Sequence, residues 1–280
     1  MIKHYLKVAF RNLMKYKTQS LVSIIGLAVG FTCFALSALW IRYEMTYDNF
    51  HKGSDRIYMV RAHYANEPGT RKFTPYPLME YLQDKMPEIE AATAFTPHHV
   101  KFRLEETEQE VGMIDADSVF MNFFDIQLLK GTVNFLKSDG QEVAITKEFA
   151  KRLFSKEEDA LGKEVEVGRR VCKIGAIVSG WSNHSNIPYN ILAPARHSPR
   201  WGSSNEQLFI RVRERTDIDA FRTKMSTVRI NDIEKESELS DLLITRMSAL
   251  RYSDYVDKAD VVISFSYIFL IWNFPCCSCC

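Results

Sequence analysis

The chain lacks several features that would make its chemistry easy to read. Its 280 residues contain no G-x-x-x-x-G-K-[ST] phosphate loop, so the sequence carries no means of hydrolysing ATP by itself. Residues 42–258 hold no H-E-x-x-H and no paired C-x-x-C, which removes two familiar zinc signatures. An excess of charge of one sign is missing too. The 36 Lys and Arg stand against 35 Asp and Glu, and a formal net charge of +1 excludes nucleic-acid binding driven by bulk positive charge. A chain 25% charged and 12% aromatic is not wholly disordered either. The cysteines form no disulfide framework, because Cys33 and Cys172 stand alone while Cys276, Cys277, Cys279 and Cys280 crowd together at the end. His98, His99, His184 and His197 are scattered through loop-like segments and read as solvated surface groups, as do Glu105, Glu106, Glu108 and Glu110 around a polar turn. Ser182, His184 and Ser185 suggest no convincing nucleophile. No catalytic residue, bound cofactor or metal ligand is expected.

What the chain does have is an uneven placement of charge. Residues 1–20 contain Lys3, Lys7, Arg11, Lys15 and Lys17 and no acid. Ile2, Leu6, Phe10 and Leu13 recur there at helical spacing beside the basic row, which predicts an amphipathic helix on a membrane surface. Residues 21–41 carry no charge at all. At about 1.5 Å per residue they reach across a hydrocarbon core of about 30 Å. The run is longer than a signal-peptide core and exits through Trp40, Ile41, Arg42 and Tyr43, which fits an uncleaved transmembrane helix with an interfacial anchor. The positive-inside rule then keeps residues 1–20 cytoplasmic and sends residue 42 onward outside. Gly26 and Gly30 form a G-x-x-x-G pair suited to close helix packing.

Residues 42–258 are mildly acidic and of mixed character. Strands are expected over 55–64, 100–104, 110–114, 142–146 and 203–212, with 163–167 and 171–179 flanking a hairpin turn at Gly168. Helical spacing marks 75–86, 147–154 and 217–228, and 120–129 reads as a short aromatic-rich helix or loop. Interleaving at this density predicts an α+β extracytoplasmic domain of two lobes. A second uncharged run, residues 261–274, is short for a membrane span and meets Asn273 and Pro275 before the cysteines.

Four stretches carry a family resemblance: RNLMKYKTQSLVSIIGLAVGF, IRYEMTYDNFHKGSDRIYMVR, EVAITKEFAKRLFSKEEDALGKEVEV with KIGAIVSGWSNHSNIPYNILAP, and the late SYIFLI. Together and in this order they resemble the MacB/FtsX-like permease family of ABC transporters, with a MacB-like periplasmic core domain. The resemblance implies a layout of cytoplasmic segment 1–20, transmembrane helix 21–41, core domain 42–258, and a second helix begun at 259–280 and truncated or frameshifted there. It implies a bacterial inner (plasma) membrane location with residues 42–258 extracytoplasmic. It further implies a permease subunit that couples ATP hydrolysis on a separate cytoplasmic ABC ATPase to motion of the outer domain, acting on peptide, antibiotic or lipid-linked cargo. Expected partners are that ATPase, membrane lipid, a second permease copy or paired permease, and a periplasmic or outer-membrane protein; nucleic acid is not among them. Gly26 and Gly30 are assigned to helix packing, and Lys3, Lys7, Arg11, Lys15 and Lys17 to the inner membrane surface or the ATPase. The alternative is a singly anchored extracytoplasmic binding or adaptor protein without transport activity.

Overall fold

The computed structural model describes residues 2–64, 69–181, 184–230 and 239–252. The expected second span at 261–274 and the cysteine-rich end lie outside the described residues. The chain divides into two compact units, one running to Thr46 and the other beginning at Tyr47.

The first unit is helical. Helix α1 (Ile2–Lys15) is the expected amphipathic segment, and α2 (Lys17–Glu44) is the long apolar helix. They meet at Tyr16, whose φ of -109° and ψ of 53° leave helical geometry. The hydrogen-bond ladder survives this bend: the Tyr16 amide donates to Asn12 O at 3.0 Å and the Ser20 amide to Tyr16 O at 2.9 Å. The apolar window of α2 has no buried residue, as expected of a surface solvated by lipid. Helical geometry starts ahead of residue 21 because Lys17 to Ser20 contain no helix breaker; loss of charge marks where lipid begins, not where the helix begins.

The first regular elements of the second unit are a 3-10 turn, Ser54–Arg56, and strand β1 (Ile57–Tyr64). Two short strands, β2 (Thr70–Arg71) and β3 (Thr74–Pro75), precede helix α3 (Pro77–Lys85). Next come the long β4 (Ile89–Leu104), β5 (Thr107–Ala116), α4 (Ser118–Phe123) and β6 (Leu128–Gly131). A parallel β-α-β stretch comprises β7 (Glu142–Thr146), α5 (Lys147–Leu153) and, after β8 (Glu164–Val167), β9 (Arg170–Val178). The chain then adds β10 (Ile191–Pro194), β11 (Ser204–Val212), α6 (Ile218–Ser226) and β12 (Leu239–Arg246).

Along the hydrogen-bonded path the order is β12-β1-β11-β4-β5-β10-β7-β9-β6. Strand β4 makes this one path out of two lobes. Its first half pairs with β11, from Ile89 opposite Val212 to Phe95 opposite Gln207, and its second half pairs with β5, from Thr96 opposite Asp115 to Leu104 opposite Thr107. Pro97, which lacks an amide donor, lies beside this change of partner. The β8–β9 hairpin closes the second lobe against the end of β4, turning at Gly168 with φ of +64°. A left-handed conformation suits glycine there.

Three hydrophobic clusters follow from the period-2 alternation of the strands. In the first lobe Tyr58, Val60, Leu208 and Ile210 face α3 and α6, meeting Leu78, Leu82, Phe221 and Met225. Their neighbours Ile57, Met59, Phe95 and Phe209 point the other way, into an aromatic cluster with Phe120 and Phe124 of the α4 segment. Both faces are covered, so β1 is buried almost throughout instead of alternating. In the second lobe Val143, Ile145, Ile174 and Ile191 pack against Phe149 of α5 and Phe102 of β4. Helix starts are capped as their sequences suggest: Asp117, Thr146 and Asp217 each accept an amide hydrogen bond from the first turn of α4, α5 and α6.

Candidate functional site

Within four residues of the end of α2 the chain is bonded into the core of the second unit. The helix closes with the Met45 amide on Ile41 O at 2.9 Å and the Thr46 amide on Tyr43 O at 3.2 Å. Asp48 follows, fully buried and in the left-handed region at φ of 57°, a conformation that Asp tolerates better than most residues. Its carboxylate accepts from Ser185 Oγ at 2.5 Å and from Asn186 Nδ2 at 2.6 Å, and from the Asn186 amide at 3.2 Å. The Asp48 amide donates to His184 O at 3.2 Å, and the Tyr47 ring lies 3.8 Å from that of His184. Ser185 Oγ also accepts from the Ile187 amide at 3.1 Å, closing the loop around the carboxylate. Burial pushes the Asp48 carboxyl up, while the bonds from Ser185 and Asn186 pull it back toward the charged form.

His51 is the second anchor of this root. Its ring lies 4.2 Å from Phe50, 5.1 Å from Phe124 and 4.8 Å edge-on from Trp181, so the segment after the helix is inserted into the central aromatic cluster. Burial, helped by the charge on Arg211, holds His51 at about 4. Trp181 Nε1 donates to Ile187 O at 2.9 Å and thereby ties the same loop to the cluster. The root is thus a bonded knot between residues 47–51 and Trp181 with residues 184–187. The two sequence stretches were legible as family-like segments; their mutual contact, 137 residues apart, was not.

A second polar cluster joins elements of the first lobe to the α4 cap. His197 Nδ1 lies 2.8 Å from Glu206 Oε2 and Nε2 lies 3.3 Å from Asp117 Oδ2, with the ring stacked 4.0 Å from Tyr76. Burial alone would depress His197, but its bonds to Asp117 and Glu206 carry it up to about 9. The expectation that His197 is a solvated surface group is therefore corrected: it is a cation held between two carboxylates, one of them buried Glu206. His184 departs from that expectation as well, packed on Tyr47 in the root. The acidic run behaves as read, with Glu105 and Glu106 in the β4–β5 turn and Glu108 paired across it with Lys101 at 2.9 Å and Arg103 at 2.8 Å. Among the described residues no group of three His, Cys, Asp or Glu is arranged to hold a metal ion.

In the membrane unit, Gly26 and Gly30 share one face of α2, and a Cβ built on either meets nothing within 4 Å. At 100° per residue that face continues through Ser23, Cys33 and Ser37. The seam of small residues is therefore longer than the glycine pair alone indicated, and the signal that could have found it is the alternating three- and four-residue spacing. Lys3, Lys7, Arg11 and Lys15 all lie in α1, with Arg11 and Lys15 exposed; Lys17 opens α2, also exposed.

Residues 20–228 match the family described as the MacB-like periplasmic core domain. A comparison with curated proteins returned no match. Among solved structures, a domain of a protein described as a permease from Porphyromonas gingivalis superposes with a TM-score of 0.57 at 19% identity, covering 70% of this chain and 91% of that one. The periplasmic region of MacB from Actinobacillus actinomycetemcomitans gives a TM-score of 0.50 at 12% identity, covering 71% and 92%. These likenesses carry the fold. With the apolar helix α2 ahead of it, the mixed α+β domain is the extracytoplasmic part of a bacterial inner-membrane protein. The chain belongs to the MacB-like periplasmic core domain family of ABC-transporter permease-type proteins, the MacB/FtsX-like group to which its sequence bears resemblance.

Proposed function

We propose that this chain is a non-catalytic permease subunit that transmits ATP-driven change across the membrane to its outer domain. The observation that carries the reading is the Asp48 knot. A membrane helix joined to its domain by a slack linker could not impose its movements, whereas here buried hydrogen bonds begin two residues beyond Thr46. In this reading Lys3, Lys7, Arg11, Lys15 and Lys17 lie along the anionic inner leaflet beside a cytoplasmic ABC ATPase, to which each basic group near the surface adds about 1 kcal/mol of membrane attraction. ATP is bound and hydrolysed on that partner and not on this chain. Gly26 and Gly30 form the seam against a second membrane helix, from another copy of this chain or a paired permease. The layout separates residues 1–20 inside, 21–41 in lipid and 42–258 outside. The outer domain moves, and its cargo is a peptide, an antibiotic or a lipid-linked molecule, passed on with a periplasmic or outer-membrane partner.

The test is to isolate the full chain from its own membranes with and without a non-hydrolysable ATP analogue and identify what accompanies it. Nucleotide-sensitive recovery of an ABC ATPase supports the role. Failure to recover one under either condition sinks it and leaves the singly anchored adaptor.

A further inference from the structure

The second lobe has a cavity of about 360 Å³ that the permease reading does not use. Its floor is apolar, formed by Met113 of β5, Val143 of β7 and Ala193 of β10, with buried Cys172 of β9 beside them. Its rim is basic. Arg169 occupies the β8–β9 turn, Arg170 opens β9 and Arg196 follows β10, so arginines from two separate loops line the one cavity. His98 of β4 faces the same space.

The acids nearby do not cancel this charge. Asp115 of β5 also lines the cavity, 3.7 Å from His98 Nε2. Burial raises its carboxyl, against the opposing pull of His98 and Arg170. Asp139 is taken up by Arg196, whose Nη2 donates to its carboxylate and, at 2.8 Å, to its backbone oxygen. The side chains of Arg169 and Arg170, in contrast, have no hydrogen bond or ion pair among the described residues. Two guanidinium forks over an apolar floor match a planar or tetrahedral oxyanion attached to a small apolar body. The volume lies near the lower end of ligand cavities, which suits a molecule of about dipeptide size and not a long chain.

We propose that this cavity is a binding site for a small oxyanion-bearing molecule, its carboxylate or phosphate held by Arg169 and Arg170 and its apolar part laid on Met113, Val143 and Ala193. The site is independent of any ATPase partner.

The experiment is calorimetric titration of the full chain in lipid nanodiscs with three probes: inorganic phosphate, N-acetyl-alanyl-alanine as the free acid, and the same dipeptide as its C-terminal amide. Saturable binding of phosphate, the free acid or both, but not of the amide, is expected; a tighter free acid identifies carboxylate as the group, and a tighter phosphate identifies the phosphate. Replacing Arg169 and Arg170 together by Gln should weaken that binding by about tenfold or more, as expected for loss of charge-assisted bonds. Asp115→Asn, which removes the one acid in the rim that opposes an anion, should tighten it. Arg222→Gln, at an exposed position of α6, is the control for bulk charge and should leave it unchanged. The proposal is overturned if neither anion binds at about 10 mM. It is equally overturned if the amide binds as well as the acid, or if Arg222→Gln weakens binding as much as the double change does.

Discussion

Two histidines with opposite displacements shape the stability of the outer domain. His51 is held at about 4, so its neutral form is favoured in the fold; the stability it contributes is full above an unfolded value of about 6.5 and is lost as pH falls toward 4. His197 is held at about 9, so its charged form is favoured; its contribution is full below about 6.5 and is lost as pH rises through 9. Each amounts to something on the order of 3 kcal/mol. Thermal melts across pH should therefore trace a dome with its top near neutrality. His51→Phe should flatten the acid side and His197→Gln the alkaline side, each leaving the other intact. A variant that flattens both sides equally would show that the two groups are not acting as separate titrations. Asp48 makes a sharper residue-scale case, because its backbone and its carboxylate can be separated. Asp48→Gly keeps the left-handed backbone but strands the Ser185 and Asn186 donors, and should cost about 2–3 kcal/mol by denaturant unfolding. Asp48→Ala should cost about 1 kcal/mol more, from the strained φ.

The same separation of what local chemistry dictates from what distant contact decides runs through the elements. The α2 helix was legible from its uncharged apolar length, and the hairpin at Gly168, the helix at Ile218–Ser226 and the strand at Glu142–Thr146 from their period and the capping or turn residue at an end. Strand β4 was legible only in its last third. Its first part, IEAATAF, is rich in Ala, and Pro97, His98 and His99 interrupt the alternation, so what makes it a strand is pairing to β11. Strand β10 is four residues long and buried between β5 and β7, and β12 also went unseen; neither advertises itself without its neighbours. The root was half legible for the same reason. YDNFH and SNHSN stood out as segments, but nothing in either says that one binds the other. Helix α2 offers an element-scale test. Gly26→Leu with Gly30→Leu leaves an isolated helix intact, since leucine favours helix, but fills the open seam. Cysteine cross-linking between copies in native membranes should drop severalfold in the double variant; unchanged cross-linking would place the packing face elsewhere on α2.

At the scale of the whole molecule, near-neutrality conceals an uneven charge pattern: a basic helix, an uncharged stretch at residues 21–41, and a mildly acidic extracytoplasmic domain. The family assignment and the apolar helix agree with that layering. In the proposed reading the layers act as one device because the buried hydrogen bonds of the outer domain begin at Asp48. The most direct measurement is hydrogen exchange of the full chain with its ATPase in nanodiscs, with and without ATP, on the natural chain and on one carrying six Gly and Ser residues inserted between Thr46 and Tyr47. Such an insert allows a free excursion of about 13 Å without touching any buried contact. The account predicts ATP-dependent changes in amide protection across residues 184–187 and the central cluster of the natural chain, abolished by the insert while the ATPase stays bound. The same ATP-dependent changes in the inserted chain would contradict it, because the outer domain would then be moving without a rigid root.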